Sequence, residues 1–233
     1  MDLGIYNGVA ALRAQERRLE AITHNLANAS TPAFKRTSSF TEGFAVEHDG
    51  EVDAQPRTEH VRDFTQGPLN RTGVPTHLAI KGDGFFAIDT DQGEAFTRDG
   101  SFRIDQNGVL TTANGDPLMW DGPRGVIDPV GEPFIIEPTG GVRQGETVLG
   151  KIRIVAFEDH QQLKLDPRGT YEAPIGLTRV PADVQVLQGH LEGSNTSPVD
   201  ELIAMIQVQR SYESITRLMG AIDQSYQQLT NNR

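Results

Sequence analysis

Six histidines and two acidic turns are the residues of this chain whose types could do chemistry. The histidines are at positions 24, 48, 60, 77, 160 and 190, and none belongs to an H-x-H or H-E-x-x-H motif. Glu158–Asp159–His160 could contact a metal ion, but a solvated hairpin tip has the same composition. Asp89–Thr90–Asp91–Gln92–Gly93 resembles part of a calcium loop but lacks the third acidic ligand and the distal Glu. We therefore expect no metal site.

Motifs for covalent catalysis and nucleotide binding are also missing from the sequence. There is no Cys, which excludes disulfides, thiolate metal sites and a Cys nucleophile. Neither a G-x-S-x-G elbow nor a P-loop occurs. Gly82–Asp83–Gly84 lacks the third glycine of a dinucleotide fingerprint and precedes a strand pattern, which indicates a turn. The sequence predicts a protein that is not an enzyme and has no cofactor, although its many acidic residues leave a paired-carboxylate hydrolase as an alternative.

The charge balance excludes two classes of partner. The chain has 21 Lys+Arg and 32 Asp+Glu, a formal net charge of −11, whereas nucleic-acid binding needs a basic face. No run of 18 apolar residues occurs, so we expect no membrane insertion. The N-terminal residues lack a basic segment followed by an apolar one, so no cleavable signal peptide is expected.

Glycine and proline divide the chain into three parts. Residues 1–37 and 193–233 each hold 2 Gly and 1 Pro, whereas residues 38–192 hold 20 Gly and 11 Pro. Helices exclude both residues from their interiors, and hairpin turns require them. The division predicts an N-terminal helix with its loop (1–37), a central β domain (38–192) and a C-terminal helix (193–233). The fold class is therefore α+β.

Both terminal segments carry the apolar repeat of a coiled coil. In the N-terminal segment the repeat is seven residues: Ile5, Leu12, Leu19 and Leu26. In the C-terminal segment the spacing alternates between three and four: Met205, Val208, Tyr212, Ile215, Met219, Ile222, Tyr226 and Leu229. We call these twelve the seam residues. They predict that the two helices pair as a coiled-coil hairpin and form the assembly interface with helices of other subunits.

The helix ends also have sequence signals. Pro32 disfavours helical geometry at Thr31, so the N-terminal helix should end near Ala29. Ser197 and Pro198 are suited to the cap and the first position of the C-terminal helix.

The central part has the turn chemistry of β-hairpins. Asp-Gly or Asn-Gly pairs stand between alternating apolar residues at four places: Asp83–Gly84, Asp99–Gly100, Asn107–Gly108 and Asn114–Gly115. Asn107–Gly108 is predicted to form a type I′ turn, which needs a positive φ at both residues. The pattern indicates an all-β, hairpin-rich domain.

Three segments together resemble the bacterial flagellar axial proteins, the rod and hook family. The first, residues 24–36, is similar to the family's N-terminal signature, with Ala33 in place of the usual Gly. Its matching residues, the signature-loop residues, are Asn25, Leu26, Ala27, Asn28, Thr31, Pro32 and Phe34. The second covers residues 77–115 and includes Arg98–Asp99–Gly100–Ser101–Phe102. The third comprises Leu191–Glu192–Gly193–Ser194–Asn195 and the C-terminal helix.

The resemblance implies a mechanical role. The resemblance implies that the two terminal helices form a hairpin that lines the tubular core of the rod and that the β domain packs outside it. This chain is then expected to be a structural rod subunit that polymerises through its terminal helices to transmit motor torque. Its partners would be other copies, neighbouring rod subunits and the flagellar type III export apparatus. The rod crosses the periplasmic space, which the subunit would reach without a cleavable signal.

Within the family, the chain is too short for a hook protein, and the early rod proteins lack the central signature of residues 77–115. The two later rod proteins remain. The compact length, residues 1–6 and the early Gln66–Gly67–Pro68–Leu69 favour one of them. The other, the distal rod protein, is the alternative because the match at residues 98–102 suits it as well. Outside the family, the alternatives are a secreted β-rich binding protein or hydrolase and an adhesin-like surface module.

Overall fold

The structure, a computed structural model, describes residues 2–48 and 51–231, and the side chains of residues 7–39, 61–225, 227 and 228. The chain forms two compact units. The helical unit comprises Met1–Ala29, Arg36–Asp63 and Thr196–Arg233, and the β unit comprises Ser30–Lys35 and Phe64–Asn195. The predicted α+β class, with a helix near each end and a β-rich region between them, is confirmed.

The helical unit contains two helices and one long hairpin. Helix α1 is Asp2–Ala27 and helix α2 is Pro198–Asn231. Strands β1 (Thr37–His48) and β2 (Glu51–Arg62) pair antiparallel. Helices α1 and α2 contact one another. They run antiparallel, because Gly8, early in α1, lies close to Met219, late in α2, whereas Arg36, which follows the end of α1, pairs with Glu201 in the first turn of α2.

Local chemistry accounts for the helix ends. Helix α2 begins at Pro198 as predicted, and the Asp200 N–H donates to Ser197 Oγ at 3.4 Å. Helix α1 ends two residues before the expected Ala29. The Asn28 side chain donates to the His24 carbonyl at 2.9 Å, so a C-terminal carbonyl of α1 is already satisfied there. No helix in the described part of the chain has an apolar stretch that could cross a membrane.

The β unit contains fifteen short strands in its described residues, all from Phe64–Asn195. They are β3 Leu69–Arg71, β4 Leu78–Lys81, β5 Phe85–Thr90, β6 Gly93–Thr97, β7 Arg103–Ile104, β8 Leu110–Thr111, β9 Phe134–Ile136, β10 Gly141–Gln144, β11 Thr147–Lys151, β12 Ile154–Phe157, β13 Lys164–Leu165, β14 Tyr171–Glu172, β15 Arg179–Val180, β16 Gln185–Gln188 and β17 His190–Glu192. A 3₁₀ helix, His160–Gln162, follows β12.

Antiparallel pairing organises these strands. The largest sheet has the order β13-β14-β6-β5-β12-β15, and a second has the order β11-β10-β9. Three further pairs are β16 with β4, β17 with β3, and β7 with β8. Strands β3 and β4 thus pair with strands more than a hundred residues later, which draws the two ends of the β unit together.

The core of the β unit lies on both faces of strand β5. Phe86 and Ile88 belong to one buried cluster, whereas Phe85 and Ala87 belong to another. Successive residues of a strand point to opposite faces. Strand β5 is therefore buried on both sides, and its Phe85, Phe86 and Ile88 are at most 1% exposed.

Three of the turn predictions were wrong. Strands β4 and β5, on either side of Asp83–Gly84, do not pair with each other, since β4 pairs with β16 and β5 with β6 and β12. Asp99–Gly100 is not a hairpin turn either, because β6 before it pairs with β5 and β14, and β7 after it pairs with β8. Asn107–Gly108 does not form a type I′ turn, because Gly108 has a φ of +76° but Ala33 is the one non-glycine residue with a positive φ among residues 2–48 and 51–231. The Asp105 carboxylate instead accepts the backbone N–H groups of Asn107 and Val109, which holds a longer loop between β7 and β8.

Candidate assembly surface and buried charge cluster

The seam residues have a range of exposures. Val208 is buried, and seven others are half-buried: Leu12, Leu19, Leu26, Met205, Ile215, Met219 and Ile222. Tyr212 is 40% exposed. The side chains of Ile5, Tyr226 and Leu229 lie outside the described residues. The role of the seam in assembly stays a prediction, because this burial concerns a single chain.

A second apolar surface lies on the first turns of α2. It consists of four exposed side chains: Val199 (65%), Leu202 (48%), Ile203 (50%) and Ile206 (49%). Their spacing of three, one and three places them on one side of the helix. We call these four residues the α2 apolar face. The helical spacing of Leu202, Ile203 and Ile206 can be read from the sequence, but their exposure cannot be inferred from it.

In the first half of the signature loop, side-chain amides hold the end of α1. The buried Asn25 side chain donates to the Thr37 carbonyl at 2.8 Å and accepts the Thr37 N–H at 2.9 Å, which fixes the end of α1 to the start of β1. Leu26 is half-buried, Ala27 is the last residue of α1, and Asn28 bonds to the His24 carbonyl.

The second half of the loop forms a tight turn in the β unit. The Phe34 N–H donates to the Thr31 carbonyl across the exposed Pro32. Ala33 has a φ of +56°, and its N–H donates to the Glu192 carbonyl at 2.8 Å. A left-handed φ suits Gly best. This geometry explains why Gly is usual at this position of the signature.

Next to this turn, one buried carboxylate collects several partners. Glu192 Oε1 accepts from Lys35 Nζ at 2.6 Å and from the Gly67 N–H at 3.0 Å. Glu192 Oε2 accepts from an Arg98 Nη1 at 3.3 Å. The side chains of Lys35, Arg98 and Glu192 are 1%, 3% and 0% exposed. We call Lys35, Gly67, Arg98 and Glu192 the Glu192 cluster.

The cluster contains two cations for one buried anion. Burial lowers the pKa of Arg98, and the nearby charges of Glu192 and Asp83 act against that shift. The Arg98 guanidinium also donates to the Gly82 carbonyl at 2.7 Å, and Lys35 Nζ donates to the Thr65 carbonyl at 2.7 Å. These carbonyl bonds replace part of the hydration that both cations lose on burial, while the buried Arg98 Nε has no hydrogen-bond partner among the described residues. Because both Glu192 oxygens already have protein donors, the cluster is suited to holding chain segments rather than to activating a substrate.

A second buried glutamate lies in the helical unit. Arg36 Nε is 2.5 Å from Glu201 Oε1, and the Glu201 side chain is 0% exposed. Glu201 is in the first turn of α2, where the helix dipole favours a negative charge. The neighbours Lys35 and Arg36 thus each pair with a buried glutamate of the C-terminal part of the chain, each within its own unit.

Three acidic residues in or beside the turns considered as metal sites have structural roles. Asp89 forms an ion pair with Arg124, and Glu94 forms a two-point ion pair with Arg179. Asp159 caps the 3₁₀ helix, and hydrogen bonds from Gln162 and from the Gln161 N–H lower its pKa. Within the part of the chain that the structure describes, no three His, Asp or Glu side chains are grouped so that they could hold a metal ion.

Known family models match most of the chain. Residues 5–35 match the flagella basal body rod protein model, residues 79–173 match the D1 domain of the flagellar hook protein FlgE/F/G, and residues 187–232 match the C-terminal model of the rod FlgEFG proteins. The rod protein FlgF of Caulobacter vibrioides is 35% identical over 94% of this chain and 93% of its own length. This chain belongs to the flagellar basal-body rod protein family.

Relatives of two types within the rod family are similar to this chain. FlgF of Mesorhizobium japonicum is 33% identical over 94% of this chain and 92% of its own length. FlgG of Buchnera aphidicola, from Acyrthosiphon pisum, is 32% identical over 94% of this chain and 95% of its own length. The predicted family is confirmed. Relatives of both candidate types, FlgF and FlgG, are similar to this chain, as expected from the sequence.

The rod-family segments meet at the Glu192 cluster. Lys35 is the last residue of the first matched segment, Arg98 lies in the second, and Glu192 lies in the third. The sequence motifs that carry the resemblance contain all three charged residues, but the sequence did not show that these charges meet. Glu192 and Lys35 are 157 residues apart, so only the fold brings them together.

Proposed function

We propose that this chain is a structural subunit of the bacterial flagellar rod and polymerises through its terminal helices to transmit motor torque. The observation that supports this is the α2 apolar face, whose four residues are each about half or more exposed. Contiguous apolar surface of this kind is typical of protein–protein contacts. A second copy or a neighbouring rod subunit would cover it.

The position of the α2 apolar face indicates which type of subunit contact it would make. The α2 apolar face and the seam residues include different residues of the same helix. A subunit that uses one surface for its own helix pair and another for a neighbour makes heterologous contacts, and such contacts generate helical filaments when they do not close into a ring. In this proposal the seam residues pair α1 with α2 as a coiled-coil hairpin and extend the contact to adjacent helices.

The remaining parts of the proposal come from the family. The subunit would be exported by the flagellar type III apparatus without a cleavable signal and would assemble in the periplasmic space. It would have no catalytic role. A FlgF-type position is favoured because FlgF of two organisms is 35% and 33% identical, against 32% for the FlgG relative; the FlgG-type distal position is the alternative. We also propose residues 1–37, 38–192 and 193–233 as its sequence domains.

The test places a charge on the α2 apolar face. Ile203→Asp should leave the monomer folded, because the side chain is 50% exposed, but should prevent assembly because the contact would bury an unpaired carboxylate. The matched control is Val148→Asp, on strand β11 of the β unit, where the side chain is 76% exposed. Each variant replaces the wild-type chain in the cell, and swimming and the protein content of isolated basal bodies are measured.

We expect Ile203→Asp cells not to swim and their basal bodies to lack the chain, while Val148→Asp cells swim. Circular dichroism of the purified monomers checks that both variants fold. Ile215→Asp tests the seam in the same assay. Normal assembly of Ile203→Asp would contradict the proposed contact, and absence of the wild-type chain from basal bodies would contradict the proposed function.

A further inference from the structure

We propose that Glu192 is a positioning residue that clamps together every segment by which the β unit is joined covalently to the helical unit. These segments are residues 30–35, the chain from residue 64 onward, and the chain up to residue 195. The proposal that this clamp helps to transmit force rests on the proposed function, because a subunit that carries torque needs these segments to move together.

All three segments are bonded to one another around Glu192. Lys35, the last residue of the first segment, bridges Glu192 Oε1 and the Thr65 carbonyl. Gly67, near the start of the second segment, donates its N–H to the same oxygen. Asn195, the last residue of the third segment, donates its side-chain amide to the Thr65 carbonyl at 3.1 Å. The carboxylate and its immediate surroundings therefore contact each of them.

Backbone hydrogen bonds repeat the same connections. The Ala33 N–H donates to the Glu192 carbonyl, and the Gly193 N–H donates to the Pro68 carbonyl, both at 2.8 Å. The Asn195 N–H donates to the Phe34 carbonyl at 3.3 Å. The fit is close, because a Cβ atom at Gly67 would overlap the carbonyl oxygen of Gly193. The segments thus lie in direct backbone contact beside the buried charges.

Arg98 connects this arrangement to the main sheet. It directly follows strand β6, and its guanidinium donates to Glu192 Oε2 and to the Gly82 carbonyl. Strand β6 lies between β14 and β5 in the six-stranded sheet. A displacement of any of the three segments is therefore passed through Glu192 and Arg98 to the centre of the β unit.

The chemistry of the cluster suits this task. The hydrophobic effect is non-directional and fixes no particular pair of atoms. Charge-assisted hydrogen bonds are directional and stronger than neutral ones. Separating a buried ion pair leaves uncompensated charges in a low dielectric. A buried carboxylate with two cationic partners therefore fixes which atoms of these segments meet and makes their separation costly.

Two variants loosen the clamp by different routes. Lys35→Met removes one cation and its bonds to Glu192 and Thr65. Gly67→Ala leaves every charge in place but forces residue 67 away from the Gly193 carbonyl, and it serves if Lys35→Met does not fold. The control is Glu94→Gln, which weakens an ion pair with Arg179 in the same sheet, where the Glu94 side chain is 23% exposed.

Hydrogen exchange of the purified full chain tests the clamp. In Lys35→Met and Gly67→Ala we expect the amides of Ala33, Gly67 and Gly193 to exchange about tenfold faster or more, because local opening limits exchange there. The amide of Ala87, in strand β5, should exchange as in wild type. Glu94→Gln should change none of these amides. A uniform increase across the β unit, or no increase at the three amides, would overturn the proposal.

A second measurement tests the mechanical meaning. Cells that carry Lys35→Met should assemble the chain into basal bodies and swim normally in dilute medium, but lose speed faster than wild type as viscosity is raised. An unchanged dependence on viscosity would overturn the clamp while leaving the proposed function intact. Absence of the wild-type chain from basal bodies would instead overturn the proposed function, and the hydrogen-exchange result would still decide whether Glu192 holds the segments together.

Discussion

The two units of the molecule treat their apolar side chains differently. In the β unit, Phe86 is 0% exposed and lies in a buried cluster of fourteen residues. In the helical unit, Leu202 is 48% exposed and Ile203 is 50% exposed. The β unit also exposes apolar residues, such as Val130 in a loop and Val148 on β11, but on separate elements, whereas the helical unit places four on one side of a single helix. The comparison teaches that one unit completes its core from its own chain, whereas the other presents a contiguous apolar surface that is suited to a second chain.

Geometry explains the difference. Strand β5 has neighbouring strands on both sides and buried clusters on both faces, so its apolar residues are covered within the unit. Helix α2 packs along α1, and a helix covers only the stripe that faces its partner. The residues of the α2 apolar face retain exposed surface that α1 does not cover.

The largest expected effect is at the closed core of the β unit. Phe86→Ala should lower the free energy of unfolding by about 3–5 kcal/mol, because it removes a fully buried ring and leaves a cavity. The ring also makes an edge-to-face contact with Phe102, at 5.2 Å between centroids. Urea unfolding followed by the fluorescence of Trp120, a buried tryptophan of the β unit, measures the loss.

The matched variant on the open surface is Leu202→Ala. It should change the unfolding free energy of the monomer by no more than about 0.5 kcal/mol, since the site is half exposed and Ala is a good helix former. Circular dichroism is the probe for this variant. Equal losses for Phe86→Ala and Leu202→Ala would mean that the two units do not differ as described.

The next effect tests whether residues 30–35, the N-terminal segment of the β unit, are packed as tightly as its core. Ala33 is 7% exposed and has a left-handed φ of +56°. Ala33→Val should destabilise the protein by about 1–3 kcal/mol, because a β-branched residue is strained in this conformation. Ala33→Gly should stay within about 1 kcal/mol of wild type, since relief of strain offsets the lost methyl group and the added chain entropy. Thermal unfolding compares the two, and equal melting temperatures would contradict the role of the φ angle.

Local signals in the sequence predicted local structure well. Ser197 and Pro198 placed the start of α2 at the correct residue, and the apolar spacing indicated both helices. Asn114–Gly115 also forms its tight turn, with the Gly115 N–H donating to the Thr112 carbonyl and a bridge between Thr111 and Pro117. Each of these features depends on residues within a few positions of one another.

Features that depend on distant residues could not be predicted. Asp83–Gly84 has the composition of a hairpin turn, but β4 pairs with β16, which begins at Gln185, and these two strands form a sheet of their own. The charges of Lys35, Arg98 and Glu192 were visible as parts of motifs, but charged residues are normally exposed. No local pattern showed that these three are buried together. The signal that could have found them is that each lies in one of the three segments that resemble the rod family.

The smallest expected effect is at an exposed loop of the β unit, and it depends on pH. The backbone N–H groups of Val109 and Asn107 donate to Asp105 Oδ1 at 2.7 and 2.9 Å. These bonds, with that from Val109 the larger influence, lower the pKa of the Asp105 carboxyl. A carboxyl whose pKa is lower in the folded state stabilises the protein fully above its unfolded-state pKa of about 3.9, and that contribution is lost as the pH falls through the folded-state value.

Asp105→Asn keeps an oxygen that can accept both bonds but removes the titrating group. The variant should therefore melt slightly below wild type at neutral pH, and the difference should shrink towards about pH 2, as the pH falls through the lowered pKa of the wild-type carboxyl. The control is Glu146→Gln, an exposed acidic residue in the turn between β10 and β11. A melting difference for Asp105→Asn that is the same at both pH values would show that the charge does not strengthen these bonds. The loop would then be held by its backbone geometry alone, with Gly108 at a φ of +76° as its main requirement.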